Sequence, residues 1–434
     1  MIFDPLSYDF SGSITLVYGG EWLDLDIADG DSDGQIDLHT CVQSEYCTRI
    51  KSSERRHGFG LNGSLITNFL STNDAMLTIG TFTNESRRIA QPGVGSAFLL
   101  PYEAITASTS TDDGTVLLDT VADDSRSWSF YPEFDSIFSG TGAALVSRLP
   151  DLDRDGTDEF LVNASFGNPP RIYIVASSDL AAMDSSDFAT DQQVNLSNSY
   201  RHPNSFRIDG YLFNPSSTLT STLPDSTNGT TRTFLLPLIQ ENNQSRSLVV
   251  DLRQLDAHDR AEGPANGVIT SFETDNSGAW EFPRITGLSV CGVDVGQNRV
   301  QALASSFFPS PGFPRTYRLE LYLFDIRDPT MLDMLDTEHD GTIDLANILS
   351  RDIEGVWLVS FSELAIDRDG IRVNCIGDLD GDDLEDIVIT LIERDGTNAR
   401  TQVILLAYAD LSRLDQLDGS QDRRVDTSAL WPDE

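Results

Sequence analysis

Arg372–Leu411, RVNCIGDLDGDDLEDIVITLIERDGTNARTQVILLAYADL, decides the reading of the fold. A short apolar run, residues 373–376, enters an acidic loop, and a second run, 387–392, leaves it. After a turn at Asp395-Gly396 a third run follows, residues 403–408. The pattern predicts a three-strand meander with a carboxylate cluster at its first hairpin. Asp378, Asp380, Asp382 and Asp386 stand at relative positions 1, 3, 5 and 9, with the Leu384 carbonyl at position 7. Hard cations such as Ca2+ take six to eight oxygens at about 2.3–2.6 Å, and carboxylates this close repel each other without one. The loop starts like an EF-hand, but Ile389 stands where the position-12 Glu would be, and an apolar strand follows instead of a helix.

The same chemistry recurs. Four loops carry a full oxygen set: Asp29, Asp31, Asp33, Gln35 and Asp37; Asp151, Asp153, Asp155, Thr157 and Glu159; Asp336, Glu338, Asp340, Thr342 and Asp344; and Asp378 to Asp386 as above. Gln35, Thr157, Thr342 and Leu384 would act through their backbone carbonyls. A solvated acidic turn is the plain alternative for any one copy. Spacing at 1, 3, 5 and 9, repeated with an apolar residue just after, points to Ca2+. Mg2+ demands a tighter octahedron and keeps its waters; zinc would want His and Cys ligands. A fifth copy, Asp418, Ser420, Asp422 and Asp426, is weakened by Arg423 and Arg424.

Apolar runs starting at Ile14, Ala97, Ile172, Leu248, Leu321 and Ile404 recur every 73 to 83 residues. A second unit follows them, clearest in LDIADGDSDGQIDL from Leu25, LDMLDTEHDGTIDL from Leu332 and LDQLDGSQDRRVDT from Leu414. It reads as a second calcium loop on the connection between repeats. Repeats of three or four short strands describe propeller blades, each of which buries its faces against its neighbours. The units fall at roughly 1–57 (partial), 58–138, 139–205, 206–279, 280–354 and 355–434 of a single domain. The early strands of the first unit are not evident, and residues 425–431 are the candidate to complete it by ring closure. The chain also reads as a candidate segment of something longer.

These residues resemble the FG-GAP repeats of the integrin alpha-subunit β-propeller. Phe59-Gly60 matches the Phe-Gly start, Asp151–Glu159 and Asp378–Asp386 match the Asp-rich loop, and Asn163-Ala164-Ser165 stands where Gly-Ala-Pro would be. The resemblance implies an all-β propeller of calcium-binding blades, extracellular and often adhesive or structural. The family's repeat is shorter and its ring usually has seven blades, whereas direct counting gives six.

The chain has 434 residues and a net charge of −40, from 69 acids against 29 bases, of which Lys51 is the one lysine. That balance disfavours nucleic acid and anionic membranes as partners and suits cations. No stretch approaches the roughly 18 apolar residues of a membrane span, and MIFDPLSYDF is no signal peptide. Cys41 and Cys47, close together in a polar segment, are expected to form a disulfide, while Cys291 and Cys375 are expected as buried free thiols. The histidines are scattered, and no His-Glu-x-x-His, Gly-x-Ser-x-Gly or Arg-Gly-Asp motif occurs. Phe307, Phe308, Pro309 and Phe313 read first as core, second as a contact patch. The expectation is therefore a non-enzymatic, calcium-stabilised module at the cell surface or outside it. Its partners would be a protein or glycan, or further copies of itself. A carbohydrate-binding or polysaccharide-degrading propeller is the alternative.

Overall fold

The computed structural model describes residues 2–4, 13–17, 47–52, 65–66, 69, 75–80, 96–108, 114–131, 145–149, 151–152, 154–164, 170–186, 190–196, 201–210, 220–224, 231–235, 238–241, 244–272, 278–285, 287–294, 299–309, 317–326, 328–336, 339–351, 356–364, 371–376, 386–395, 398–407, 410–419 and 422–427. The chain forms two compact units where the sequence predicts one domain. The first is Met1–Tyr211 with Asp259–Ser271; the second is Leu212–His258 with Phe272–Glu434. Among the described residues each unit holds three sheets, and both units are built mostly of antiparallel meanders.

In the first unit the sheets follow the chain. The first pairs Ile2–Asp4, Ser13–Val17 and Cys47–Lys51. The second pairs Leu65–Ile66, Met76–Gly80, Ala97–Pro101 and Trp128–Tyr131. The third pairs Leu145–Arg148, Phe160–Ala164, Arg171–Val175 and Phe206–Asp209. Met76–Gly80, Ala97–Pro101 and Phe160–Ala164 are buried at every residue, because successive side chains point to opposite faces and both faces are covered. Leu77 and Ile79 pack with Ile14, Leu16 and Ile50 of the sheet before. Met76, Ala97 and Leu99 pack with Phe160, Val162 and Tyr173 of the sheet after. The apolar runs in the sequence are continuous for this reason.

The second unit repeats the plan. Its first sheet joins Thr220–Pro224, Thr231–Leu235, Leu238–Glu241, Gln244–Asp251 and Ala279–Pro283. Its second joins Gly287–Asp294, Arg299–Pro309, Tyr317–Asp325 and Trp357–Leu364. Its third is the meander expected from the sequence: Ile371–Ile376, Asp386–Asp395 and Asn398–Leu406. Leu321, Leu323 and Val359 meet Ile387, Ile389 and Leu406 between the last two sheets.

What the sequence hides is the connection. Before the last antiparallel strand, the chain turns through a short helix and then adds a parallel strand to the edge of the sheet before. The helices include Leu180–Ser186, Leu255–Ala261, Pro329–Leu335 and Leu411–Asp418. The parallel additions are Thr115–Leu117 on Cys47–Lys51, Gln193–Asn195 on Trp128–Tyr131, Val268–Ile269 on Phe206–Asp209, and Arg424–Asp426 on Trp357–Leu364. Thr342 makes the same contact as a single parallel bridge to Glu281. Each addition is opened by a residue of positive φ: Gly114 (61°), Gln192 (63°), Gly267 (73°), Gly341 (79°) and Arg423 (62°). The carbonyls of these residues accept the N–H of Arg49, Ser129, Arg207, Glu281 and Leu358 at 2.8–3.0 Å.

Several expectations change accordingly. Val425 serves the sheet before it, not the first repeat. The first repeat does have an early strand, Ile2–Asp4. The repeat boundaries at 205, 279 and 354 fall before the last antiparallel strand of each sheet, because the helical connection precedes that strand.

One buried carboxylate holds each of four of these five connections. Asp184 Oδ1 accepts the N–H of Asp191 (3.2 Å) and Gln192 (2.8 Å). Asp259 accepts those of Asn266 (3.2 Å) and Gly267 (3.0 Å). Asp333 accepts Gly341 N–H at 3.1 Å, and Asp415 accepts Asp422 N–H at 3.2 Å. A sharp turn aims these donors inward, where an unpaired N–H is costly, and a carboxylate is a strong acceptor for them. Asp184→Ala is expected to lower the unfolding free energy by about 1–3 kcal/mol, read as a drop in denaturant midpoint. Asp184→Asn, which keeps the accepting oxygen, is expected to lose less than half as much.

Candidate functional site

The hairpin that joins Leu145–Arg148 to Phe160–Ala164 carries the best-defined site. Its register pairs Arg148 with Phe160, and Leu149 N–H bonds the Glu159 carbonyl at 2.8 Å. The loop of residues 150–158 then folds on its own acids. Asp151 accepts the N–H of Asp155 (3.0 Å) and Gly156 (2.9 Å) through its two oxygens. Asp155 Oδ1 accepts Thr157 N–H at 2.8 Å and its hydroxyl at 2.6 Å. Glu159 Oε2 accepts Leu152 N–H at 2.6 Å. Arg154 (φ 64°) and Gly156 (φ 91°) make the left-handed turns. A Cβ at Gly156 would meet nothing within 4 Å, so φ alone explains the glycine.

The outcome is convergence. One carboxylate oxygen each from Asp151, Asp155 and Glu159 lies within 4.8 Å of the others. Glu159 is only 2 % exposed, seated directly before the core residue Phe160. Arg148 Nε pairs with Asp158 at 2.8 Å, so that cation is spent on the neighbouring acid. The donor set is all hard oxygen, which fits Ca2+. Asp153 lies outside the described residues.

The hairpin from Ile371–Ile376 to Asp386–Asp395 is built to the same measure. Ile376 pairs with Asp386 as Leu149 pairs with Glu159, so residues 377–385 and 150–158 are loops of equal length. Asp386 is 3 % exposed, like Glu159. Asp378, Asp380, Asp382 and Leu384 lie outside the described residues, as do Asp29, Asp31, Asp33, Gln35 and Asp37. The copies without acids close earlier: Asp294 pairs with Arg299, and Pro224 with Thr231.

The third expected calcium loop is different. Asp336 Oδ2 accepts Asp344 N–H at 2.7 Å and Oδ1 accepts Asn347 Nδ2 at 2.6 Å. Asp340 Oδ1 accepts Thr342 N–H at 2.9 Å. Asp344 Oδ1 caps the helix Leu345–Ser350 through Ala346 N–H at 3.0 Å and Asn347 N–H at 3.2 Å. Asp336, Asp340 and Asp344 thus hold the helix–turn–bridge connection and form no convergent group among the described residues; Glu338 lies outside them. Thr342 stands opposite Glu281 in a parallel bridge whose bonds run through the Gly341 carbonyl (2.8 Å) and the Ile343 N–H (2.7 Å). The fifth copy behaves alike, with Asp418 accepting Asp426 N–H (2.9 Å) and Asp422 accepting Arg424 N–H (3.0 Å).

Of the cysteines, Cys47 follows expectation and Cys375 departs from it. Cys47 and Cys375 are both disulfide-bonded, so Cys375 is not a free thiol. Cys41 and the side chain of Cys291 lie outside the described residues. Of the histidines, His258 is buried edge-on to Phe272, ring centroids 4.9 Å apart. His339 Nδ1 lies 3.0 Å from the Asp333 carbonyl, engaged with the connection as well as exposed.

No family model matches the chain, and no curated protein matches it. Among solved structures, one titled "Structure of Dos1 propeller" is similar at 8% identity and TM-score 0.29, over 83% of this chain and 75% of that one. Another, "Drosophila Semaphorin 1b, extracellular domains 1-2", is similar at 8% identity and TM-score 0.28, over 79% and 77%.

Burial pushes the Asp333 carboxyl above the usual carboxylate range; the Gly341 N–H opposes this, and nearby Asp340 adds to it. A raised carboxyl contributes stability that is full below its unfolded pKa of about 3.9 and lost as pH rises through its folded pKa. Asp333→Asn removes that loss and keeps an acceptor. The difference in unfolding free energy, variant minus wild type, is expected to be more positive at pH 7 than at pH 4 in denaturant titrations.

Proposed function

We propose that this chain is a propeller-type scaffold of FG-GAP kind that holds Ca2+ at Asp151–Glu159 and at its counterpart Asp378–Asp386. On this reading it works at the cell surface or outside the cell as an adhesive or structural interaction module, with a protein, a glycan or its own copies as partner. The observation that carries the proposal is the meeting of Asp151, Asp155 and Glu159 within 4.8 Å on a loop already folded by its own hydrogen bonds. The equal length of the two hairpin loops supports extending it to Asp386.

The ion's part is structural. It would balance carboxylates that otherwise repel and fix a loop with few apolar contacts. Asp151 and Asp155 would bind from the loop, and buried Glu159 would tie the ion to the strand behind it. The disulfides at Cys47 and Cys375 support an oxidising compartment, where such bonds persist. A net charge of −40 argues against nucleic acid as partner. Among the described residues no helix is long and apolar enough to cross a membrane.

A ligand bound by the native state alone at a hundred times its Kd adds about 2.7 kcal/mol, which moves the Tm of a domain of 150–250 residues by roughly 5–10 °C. Excess EDTA is expected to lower Tm by that amount, and Glu159→Gln to remove part of the calcium-dependent rise. A melting curve indifferent to both calcium and chelator contradicts the proposal.

A further inference from the structure

In the second unit a cavity of about 230 Å3 opens beside the strand Tyr317–Asp325, between the corner at Pro283–Ile285 and the helix Leu345–Ser350. Arg284, Arg318 and Arg424 line it, together with the carboxylates of Glu320 and Asp344. Three guanidinium groups in one cavity stand out in a chain with 29 basic residues against 69 acids. The fold places each of them. Arg284 occupies the corner at φ 65°, where its carbonyl accepts the Ser306 hydroxyl. Arg318 alternates with Glu320 and Tyr322 along one face of their strand. Arg424 lies opposite Leu358, on the added parallel strand.

Most of these charges are already matched. Arg318 Nη2 pairs with Glu320 at 2.8 Å, and the Tyr322 hydroxyl donates to Glu320 at 2.8 Å. Asp344 caps the helix, and Arg424 faces Asp422 at 3.9 Å. Arg284 is exposed and makes no ion pair among the described residues. The cavity therefore offers one uncompensated cation beside a carboxylate acceptor, over a floor that includes Leu345 and Leu349. A phosphate or sulfate would set its several charged oxygens against Glu320 and Asp344. An acidic peptide of several residues would outgrow a cavity of this volume. The volume lies below the roughly 300–1,000 Å3 of pockets for drug-sized ligands, which suits a single ring.

We propose that this cavity binds a hydroxylated carboxylic acid of single-ring size, a uronate unit. Its carboxylate sits on Arg284 and Arg424, its hydroxyls donate to Glu320, and its ring lies on Leu345 and Leu349. The proposal stands apart from calcium, since no residue of the loop at Asp151–Glu159 takes part.

The test is calorimetric titration of the full chain with D-galacturonate, D-glucuronate, galactose and inorganic phosphate. Saturable uronate binding is expected, with little from galactose or phosphate. Arg284→Ala, an exposed position whose Tm should not move, is expected to weaken uronate binding roughly tenfold or more. Arg126→Ala, in the first unit, is expected to leave it unchanged. The proposal is overturned if neither uronate saturates, if galactose or phosphate binds as well, or if Arg284→Ala binds like the wild type.

Discussion

At four of the five described steps from one sheet to the next, backbone N–H groups turn inward and a buried carboxylate seven or eight residues earlier receives them. Asp184 serves Gln192, Asp259 serves Gly267 and Asp333 serves Gly341. Asp415 serves Asp422, the residue just before the equivalent Arg423. Three residues further on, a second acid repeats the device across the added strand: Glu262 to Thr270, Asp336 to Asp344, Asp418 to Asp426. The residue before the left-handed position adds a local turn of its own, as Asp191 does for Gln193 and Asn266 for Val268. With these donors satisfied, the chain can turn back and lay a parallel strand on the edge of the preceding sheet. The helices and strands of these connections then fill the core between sheets, as Leu180, Met183 and Val194 do in the first unit and Leu332, Ile343 and Leu345 do in the second.

The sequence made the meanders legible because strands covered on both faces are continuous apolar runs. It made the hairpin at Asp151–Glu159 legible because an acidic loop stands between two apolar runs. The connection is legible as a repeat and reads as a second metal loop, whereas the structure shows Asp336, Asp340 and Asp344 accepting backbone and side-chain N–H groups. Its helices run only six to eight residues, too short to show a helical period. Metal loops and turns built on Asp side chains also draw on the same residues, Asp and Gly in alternation. The sign of the turn is the acid within the apolar run, Asp333 in LDMLD and Asp415 in LDQLD, which accepts backbone N–H groups of its own connection. The bonding of Cys375 was not legible because an apolar strand suits a thiol and a disulfide equally.

The arginine cavity was not legible at all. Arg284, Arg318 and Arg424 are far apart in the sequence and meet through a corner, the start of a central strand and the added parallel strand. The scaffold is thus one thing and its sites another. Connections repeat with little change, because every sheet step needs the same donors paired. Hairpins vary freely, long and acidic at residues 150–158, tight at Asp294–Arg299. Chemistry collects where repetition is relaxed.

Residue-resolved amide hydrogen exchange tests the central claim most directly. If buried carboxylates secure the connections, the amides of Gln192, Gly267 and Gly341 are protected like those of the central strand Phe160–Ala164, and Val194, Ile269 and Ile343 in the added strands are protected with them. Exchange of these amides at the rate of an open loop, while the antiparallel strands stay closed, would contradict the account.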